Sequence, residues 1–480
     1  MLESQPIIAL WQGVSNSSLT QGVMSDAERR LRMLLVDSLG AQWYVFDPES
    51  TDILLVSSEV AAVLRAIQSG ENLPEDLLEA LIEHLHLDQV EAASESHEYN
   101  QWGLTLHLNH ACNLACEYCY ADGRTSDSDG VAKGAYGGKI LSMSAQVLER
   151  CLETFMSSAP TNNITVGFLG GEPLLVEQRF LDAVLLAEEK AKKYGRQVRF
   201  ELTTNGTLLT DAVLHCFTKH DFSIVVSMDG NRETHDRQRP LANGEGSYEQ
   251  VQKAVERLSQ LQVRLGVRMT AIRGRPGIIQ AHSELARTPA CAVGFQFHMY
   301  GSNAMLPLVG DEREALFNHS LDIARRILAG DQDAAKLVTI RDILTGIVMK
   351  GKKQYHCAAG RWASTVTPNG DVFPCHRFVG MSKFKLGNVM DEGFQFTSHA
   401  MFEHNTVKNR VLRRNGTQNC ALCYAHHVCG GGCAQIAAAN TGRIDELPPF
   451  YCQETRLRTQ AVVRALLEKL HPQLAPPSIN

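Results

Sequence analysis

From residue 104 to residue 300 the chain repeats one rhythm: a short apolar run, a polar or glycine-rich loop, then an amphipathic helical stretch. The six runs are LTLHLN, ITVGFLG, VRFELTTNG, SIVVSMDG, RLGVRMTAI and VGFQFHMY. Helix-period segments such as SAQVLERCLETFMSS, VEQRFLDAVLLAEEKAKKYG and SYEQVQKAVERLSQ lie between them. Strands that alternate with helices are joined by right-handed crossovers into a parallel sheet, so the expected fold class is α/β. Ligands of such sheets bind outside the carboxyl ends of the strands. Here those ends carry the loop of Cys112, Cys116 and Cys119, then GGEP (Gly170, Gly171, Glu172, Pro173), then TNGT with Asn205, then SMDG with Ser227. Several polar and glycine-rich loops are therefore expected to converge on one rim.

The flanks follow other patterns. Residues 1–97 read as a separate unit. QWYVFD and DILLV are predicted strands joined at PEST. SSEVAAVLRAIQSG begins at a capping Ser and ends in Gly, and LPEDLLEALIEHLHL places Leu81, Ile82 and Leu85 on one side of a second helix. The polar DQVEAASESHEYNQ reads as a linker. Residues 98–300 form the strand–helix unit, 301–350 two bridging helices, and 351–480 a loop-rich, cysteine-dense unit closed by the helix TRLRTQAVVRALLEKL. A segment with so little apolar periodicity needs metal to hold it together.

The chain has 480 residues, 44% hydrophobic and 21% charged, with a net charge of −7. That balance is ordinary for a globular protein and gives no electrostatic footprint for nucleic acid. No apolar run is long enough to span a bilayer, and the N-terminus lacks a basic signal-type region, so a cytoplasmic location without a membrane partner is expected. In such a compartment 13 cysteines point to metal or redox chemistry rather than disulfides.

Cys112, Cys116 and Cys119 follow a C-x3-C-x2-C spacing directly after the first strand. Three thiolates so close together suit zinc or iron–sulfur. Structural zinc wants four protein ligands, and His107 and His110 are poor candidates for the fourth. On a four-iron cluster, three cysteines leave one iron open to a cofactor or substrate. A second constellation holds Cys357, Cys375, Cys420, Cys423, Cys429, Cys433 and Cys452. Seven cysteines fit one zinc poorly, whereas two clusters would use up to eight. A zinc-stabilised binding module remains the non-enzyme alternative. Cys151 and Cys216 lie on apolar helix faces as small core residues, and Cys291 is a stray.

With Tyr118 in the slot before the last cysteine, C-x3-C-x-aromatic-C after the first strand resembles radical SAM enzymes. The resemblance implies a partial (β/α)6 barrel and S-adenosyl-L-methionine chelated by the open iron, whose reductive cleavage gives a hydrogen-abstracting 5′-deoxyadenosyl radical. It further implies that Gly170, Gly171, Glu172 and Pro173 hold the methionine amino group, that Asn205 and Ser227 bind the cofactor's polar parts, and that Arg239 in HDRQRP contacts its carboxylate. The second constellation resembles the SPASM extension. On that resemblance Cys420, Cys423, Cys429 and Cys452 hold one auxiliary cluster, while Cys357, Cys375 and Cys433 hold another, giving three 4Fe–4S clusters. MKGKKQYH, ahead of Cys357, supplies no further cysteine, which leaves a vacancy that a substrate thiolate could fill. His376 stands where sulfatase-maturing relatives carry an Asp proposed as a base, which gives it a candidate catalytic role in proton transfer.

Residues 1–97 resemble a PqqD-like peptide-recognition element of winged-helix type, in which a leader peptide adds a strand to an open edge. The edge would be QWYVFD or its neighbour. Taken together, the resemblance implies an enzyme that modifies a ribosomally made precursor peptide or small protein, served by a reducing donor of flavodoxin or ferredoxin type. GGEPLL, LTTNGTLLTD and SMDGNRETHDRQRP are most similar to maturases that form thioether cross-links in cysteine-rich peptides and in quinohemoprotein amine dehydrogenase. Carbon–carbon or ether (cyclophane-type) cross-linking and formylglycine-forming sulfatase maturation stay open as alternatives.

Overall fold

The computed structural model describes residues 26–71, 74–87, 101–119, 125–126, 132–133, 141–273, 277–297, 307–353, 355–396 and 420–474. The six anticipated runs are parallel strands: β4 (Trp102–His107), β5 (Asn163–Leu169), β6 (Gln197–Thr204), β7 (Phe222–Ser227), β8 (Arg264–Ala271) and β9 (Ala292–Phe297), each paired with the next in sequence. On several of these strands alternation separates two environments. On β8, Leu265, Val267, Met269 and Ala271 are buried, whereas Arg264, Gly266, Arg268 and Thr270, which alternate with them, are exposed or partly buried. β7 does the same, burying Phe222, Ile224 and Val226. An aromatic cluster fills the space behind the sheet, with ring centroids of Phe168 and Phe180 4.8 Å apart and of Phe200 and Phe222 5.1 Å apart.

The helices between strands start where side-chain oxygens can cap them. Ser144 accepts from the Val147 N–H ahead of Ala145–Ser158 and Thr210 from Val213 ahead of Asp211–Lys219, while Asn231 accepts from Thr234 ahead of Arg232–Gln238. Cys151 and Cys216 are buried on the first two of these helices, as expected of core residues. Two helices, Gly310–Leu328 and Val338–Val348, bridge to the C-terminal unit; residues 298–306 lie outside the described residues. No described helix is long and apolar enough to cross a membrane.

The C-terminal unit is less loop-like than its sequence implies. β10 (Ala363–Val366) pairs in parallel with β4, setting Ser364 opposite Leu104 and Val366 opposite Leu106. β11 (Asp371–Phe373) and β12 (Gly387–Asn388) continue the same sheet antiparallel. These strands are two to four residues long, too short to show a period of two. They exist because the free edge of β4 offers them partners. The closing helix runs Pro449–Leu470, earlier than its apolar periodicity suggests, so Cys452 sits in its first turn. Arg325 donates to Glu468 through two bonds of 2.7 Å, joining the first bridging helix to it.

The N-terminal unit has more structure than the two strands and two helices expected. A helix, Asp26–Met33, and a strand, β1 (Leu35–Leu39), precede β2 (Gln42–Phe46), β3 (Ile53–Val56) and the helices Ser58–Ser69 and Glu75–His84. The strand order is β1-β2-β3. QWYVFD is therefore the central strand and not an edge; its neighbours β1 and β3 bear the edges. Val45 and Val56 face the unit's own helices, while Leu35, Leu39, Tyr44 and Phe46 join the core of the main body. Gln460 of the closing helix donates to Asp37 at 2.7 Å. Glu49 takes Lys352 at 3.1 Å and His427 at 3.2 Å. The expected linker, DQVEAASESHEYNQ, lies outside the described residues except for its last residue, Gln101.

This joint is electrostatic as well as apolar. Burial would raise the Glu49 carboxyl, but hydrogen bonds and charge from His427 and Lys352 outweigh it and hold the group well below the usual carboxylate range. A depressed carboxylate contributes stability above its ordinary value and loses it as the pH falls. Glu49→Gln should lower the thermal midpoint at pH 7, by about 1–3 kcal/mol of stability. The gap between variant and wild type should shrink as the pH drops below about 4.5. Thermal melts of both proteins across that range check it.

Candidate active site

The rim of the sheet is assembled around the loop that follows β4. GGEP lies flush on its backbone. A Cβ at Gly171 would stand 1.9 Å from the Ala111 carbonyl oxygen, and one at Gly170, with φ of 131°, would stand 2.5 Å from the Asn109 oxygen. Only glycine permits this approach. The contact is stitched by the Gly171 N–H to Asn109 O at 3.2 Å, the Glu172 N–H to Ala111 O at 2.8 Å, and Asn109 Nδ2 to Glu172 O at 2.9 Å. Pro173 opens the short helix that follows.

Glu172 is buried and turns toward the next strand end. Its carboxylate accepts from the Asn205 N–H at 2.7 Å, the Thr204 hydroxyl at 2.8 Å and the Leu174 N–H at 3.1 Å. Burial pushes it up to about 7 against those donors. Asn205 in turn donates through Nδ2 to Asn113 Oδ1 at 2.8 Å and toward Cys112 Sγ at 3.9 Å. The second and third strand ends thus both grip the cysteine loop.

The fourth strand end contributes a residue that sequence reasoning passed over. Asp229, in SMDG, is fully buried. Its Oδ2 accepts from Arg239 Nε at 2.9 Å, from Gln238 Nε2 at 3.3 Å and from the Tyr118 hydroxyl, and its Oδ1 accepts from the Thr270 N–H at 3.0 Å. The Asp229 N–H donates to His235 Nδ1 at 3.2 Å, which leaves Nε2 to donate to Ser247 Oγ at 3.0 Å; that hydroxyl donates to the Arg239 carbonyl at 2.6 Å. Burial holds His235 down to about 3, keeping it neutral as this chain of bonds requires. Arg239 is thereby fixed beside the cysteine loop, with Nη1 3.8 Å from Cys116 Sγ and its guanidinium 5.2 Å from the Tyr118 ring centre. The motif letters were legible; bonds across 111 residues to Tyr118 were not. Ser227, the last residue of β7, stands opposite Arg268.

The ten candidate ligand cysteines sort into three neighbourhoods. Cys112 shares its surroundings with Cys116 and Cys119, Cys375 with Cys433 and Cys357, and Cys452 with Cys429, Cys420 and Cys423. Burial is the main reason the Cys112 and Cys375 thiols are each pushed up to about 12 and the Cys452 thiol higher. Thiols so reluctant to ionise need a cationic centre to become thiolates. Cys112 is exposed as a residue, yet its sulfur faces the Leu114 N–H at 3.5 Å. Cys420, Cys423, Cys429 and Cys452 line one cavity together with Leu447. Gly430, Gly431 and Gly432 all have positive φ, and this turn carries the chain from Cys429 in one neighbourhood to Cys433 in another. A Cβ at Gly430 would lie 2.6 Å from the Tyr355 backbone, just ahead of Cys357.

The spacing bears on the metal. A tetrahedral zinc with Zn–S near 2.3 Å requires sulfurs about 3.8 Å apart. Among the described residues no three cysteine sulfurs lie within 4.8 Å of one another. Cys291 hydrogen-bonds to Leu265 O at 3.0 Å, just before β9 at the amino-terminal end of the strands, away from all three neighbourhoods. His376 follows Cys375; burial, then Arg377 and Arg268, push its imidazole down to about 3, so it stands neutral.

Residues 106–277 match the radical SAM superfamily, and residues 357–424 match an iron–sulfur cluster-binding domain, SPASM. The serine-type anaerobic sulfatase-maturating enzyme of Klebsiella aerogenes is 25% identical over 352 residues, 70% of this chain and 80% of that one. The cysteine-type enzyme of Clostridium perfringens is 24% identical over 365 residues, covering 71% and 90%. The mycofactocin maturase of Mycolicibacterium smegmatis is 25% identical over 342 residues, covering 69% and 77%. Among solved structures, anSMEcpe with bound AdoMet shares the fold, with a TM-score of 0.60 over 76% of this chain and 98% of that one at 20% identity.

The rim contact gives a test. Gly171→Ala should displace the cysteine loop and remove about four irons per chain, one cluster's worth, while leaving the C-terminal cysteines loaded. Iron analysis after anaerobic reconstitution, set against the wild type, checks it.

Proposed function

Since this chain is a radical SAM enzyme with a SPASM extension, we propose that it modifies a ribosomally made peptide or protein, and that the modification is an intramolecular thioether cross-link. The observation that carries this reading is the division of the cysteines into groups of three, three and four. The four-thiol group is a complete ligand set. Each three-thiol group leaves one ligand to come from elsewhere.

In this proposal Cys112, Cys116 and Cys119 hold the cluster that takes S-adenosylmethionine, and Gly170, Gly171, Glu172, Pro173, Asn205, Ser227, Arg239 and Tyr118 shape its seat. Bound there, cluster and cofactor supply a hydrogen-abstracting radical. Arg239, held by Asp229, brings positive charge to the seat. Cys357, Cys375 and Cys433 form the auxiliary site that a substrate thiol completes, with His376 as the neighbouring group that can hydrogen-bond to that thiol or accept its proton. Cys420, Cys423, Cys429 and Cys452 hold the remaining cluster. The match of residues 357–424 to an iron–sulfur cluster-binding domain counts against a zinc-stabilised module. The N-terminal sheet, with edges at β1 and β3, is the proposed docking place for a leader peptide. An external reductant of flavodoxin or ferredoxin type completes the system.

A second reading, formylglycine formation on a sulfatase, draws on the relatives named as sulfatase-maturating enzymes. On the resemblance drawn from the sequence, His376 stands where sulfatase-maturing relatives carry an Asp, and that difference favours another fate of the substrate radical.

Mass spectrometry of a cysteine-containing candidate precursor peptide, after anaerobic reaction, tests the proposal. Loss of two hydrogens with a thiol that no longer alkylates is the expected result. The same loss with free thiols identifies carbon–carbon coupling, and a formylglycine mass identifies the second reading. Loaded wild-type protein should carry about 12 irons, four for each of three clusters. Replacing His376 by Gln, which keeps a hydrogen-bonding side chain but no basic nitrogen, should slow cross-linking at least about tenfold while iron content holds.

A further inference from the structure

A carboxylate and two adjacent histidines meet where the N-terminal unit touches the cysteine-dense unit. Glu49 stands in the PEST turn between β2 and β3, and His426 and His427 open the short helix His426–Cys429. One carboxylate oxygen and one ring nitrogen from each histidine all lie within 4.8 Å of one another. His427 Nε2 is 3.2 Å from Glu49 Oε2, and His426 Nε2 is 3.9 Å from Oε1. Ligand atoms on a tetrahedral metal with bonds of 2.0–2.1 Å stand about 3.3 Å apart. The first pair has that spacing and the second is slightly wider.

The rings are aimed from outside the group. His426 Nδ1 lies 3.2 Å from the Cys423 carbonyl oxygen. A carbonyl only accepts, so Nδ1 donates, and the neutral ring turns the lone pair of Nε2 toward the carboxylate. At 3.9 Å no hydrogen bond joins the two. Two electron-rich atoms that face each other across such a gap are satisfied by a cation between them. A ring N–H held by a backbone carbonyl is also how proteins orient a metal-binding histidine. The backbone of His427 is fixed in turn, its carbonyl accepting from the Lys353 N–H at 3.0 Å. Asp47 sets the turn that presents Glu49, accepting from the Glu49 N–H at 3.0 Å and the Ser50 hydroxyl at 2.9 Å. The Glu49, His426 and His427 side chains keep 16%, 8% and 18% of their surface exposed, which leaves an entry path. Opposing charge comes from Lys352, 3.1 Å from Glu49 Oε2, and from Arg29, which acts on His426. Lys352 is the competitor that a metal must displace from the carboxylate.

We propose that Glu49, His426 and His427 bind one divalent transition metal, separate from the cysteine-held clusters. Two imidazoles and a carboxylate, with water as a fourth ligand, suit ions of zinc type. The ion clamps the N-terminal unit onto the segment between Cys423 and Cys429. His426 also lines the cavity of the four-cysteine group, so the clamp steadies that loop. None of this depends on what the enzyme modifies.

The test takes anaerobically reconstituted full-length protein, treated with EDTA and then dialysed against zinc. Bound zinc should reach about one per chain, and its X-ray absorption spectrum should show imidazole and oxygen ligands at 2.0–2.1 Å with no sulfur near 2.3 Å. Glu49→Gln and His427→Gln should each weaken zinc binding at least about tenfold while iron content holds. Zinc should raise the melting temperature of the wild type and leave that of each variant unmoved. Lys352→Gln keeps all three ligands and removes the competing ammonium, so it should bind zinc more tightly than the wild type. A zinc spectrum dominated by sulfur overturns the site, as does zinc binding that survives both ligand substitutions. Absence of bound zinc in the wild type overturns it too, and leaves the group as an ion-pair joint alone. The wild-type spectrum decides the matter even where a variant fails to fold.

Discussion

Everything at the rim depends on backbone touching backbone at Gly171. The glycine sits where any side chain would overlap the Ala111 carbonyl, and from that contact the other loops take their positions. Glu172 leaves the contact to grip the Asn205 N–H. Asn205 reaches Asn113 within the cysteine loop. From the other side Asp229 holds Tyr118 and Arg239 against the same loop. The loop itself has little regular structure, so its shape is imposed by neighbours that share hydrogen bonds with it. Buried polar networks of this kind specify one arrangement only when every member is satisfied.

The same economy links the two cysteine-bearing units. β10 extends the sheet at the free edge of β4, so the strand that delivers Cys112 is hydrogen-bonded to the strand that leads toward Cys375. A rigid sheet therefore sets the separation between the first site and the Cys357, Cys375 and Cys433 group. Arg377 reaches back across the opening to Gln296, and Tyr355 closes on Gly430 where the chain passes between the auxiliary groups. The N-terminal unit is equally integrated. Phe46 and Tyr44 lie in the common core, and Glu49 meets Lys352 and His427. Removing that unit would expose an apolar face of the main body, so its proposed role in substrate binding is better probed by substitutions along β1 and β3.

Burial gives the cysteines their character. A thiol in an apolar setting resists ionisation, and Cys112, Cys375 and Cys452 are all shifted upward. Such thiols are poor free nucleophiles and good ligands for a centre that supplies positive charge. Nearby donors moderate the effect: the Leu114 N–H and Asn205 Nδ2 point at Cys112, and Arg239 points at Cys116. Donors of this kind stabilise sulfur that carries negative charge.

The amino-acid sequence by itself determined the α/β alternation, the six parallel strands and the placing of the motifs at strand ends, because those features are written in local periodicity and in glycine and cysteine spacing. It also separated Cys151 and Cys216, on apolar helix faces, from the other cysteines. It did not reveal β1, whose run LVDSL has no clean alternation, nor β10 to β12, which are too short to carry a period and form only where β4 offers an edge. It left open whether QWYVFD or its neighbour is the edge, because strand order is not local information; the structure makes QWYVFD central and its neighbours the edges. Only the tertiary structure could decide that Asp229 joins Tyr118 to Arg239 and that Arg268 and Arg377 share Gln296. The longest of those links, Arg377 to Gln296 and Tyr118 to Asp229, span 81 and 111 residues of chain, and no short-range pattern encodes which distant side chains a folded sheet will bring within hydrogen-bonding reach.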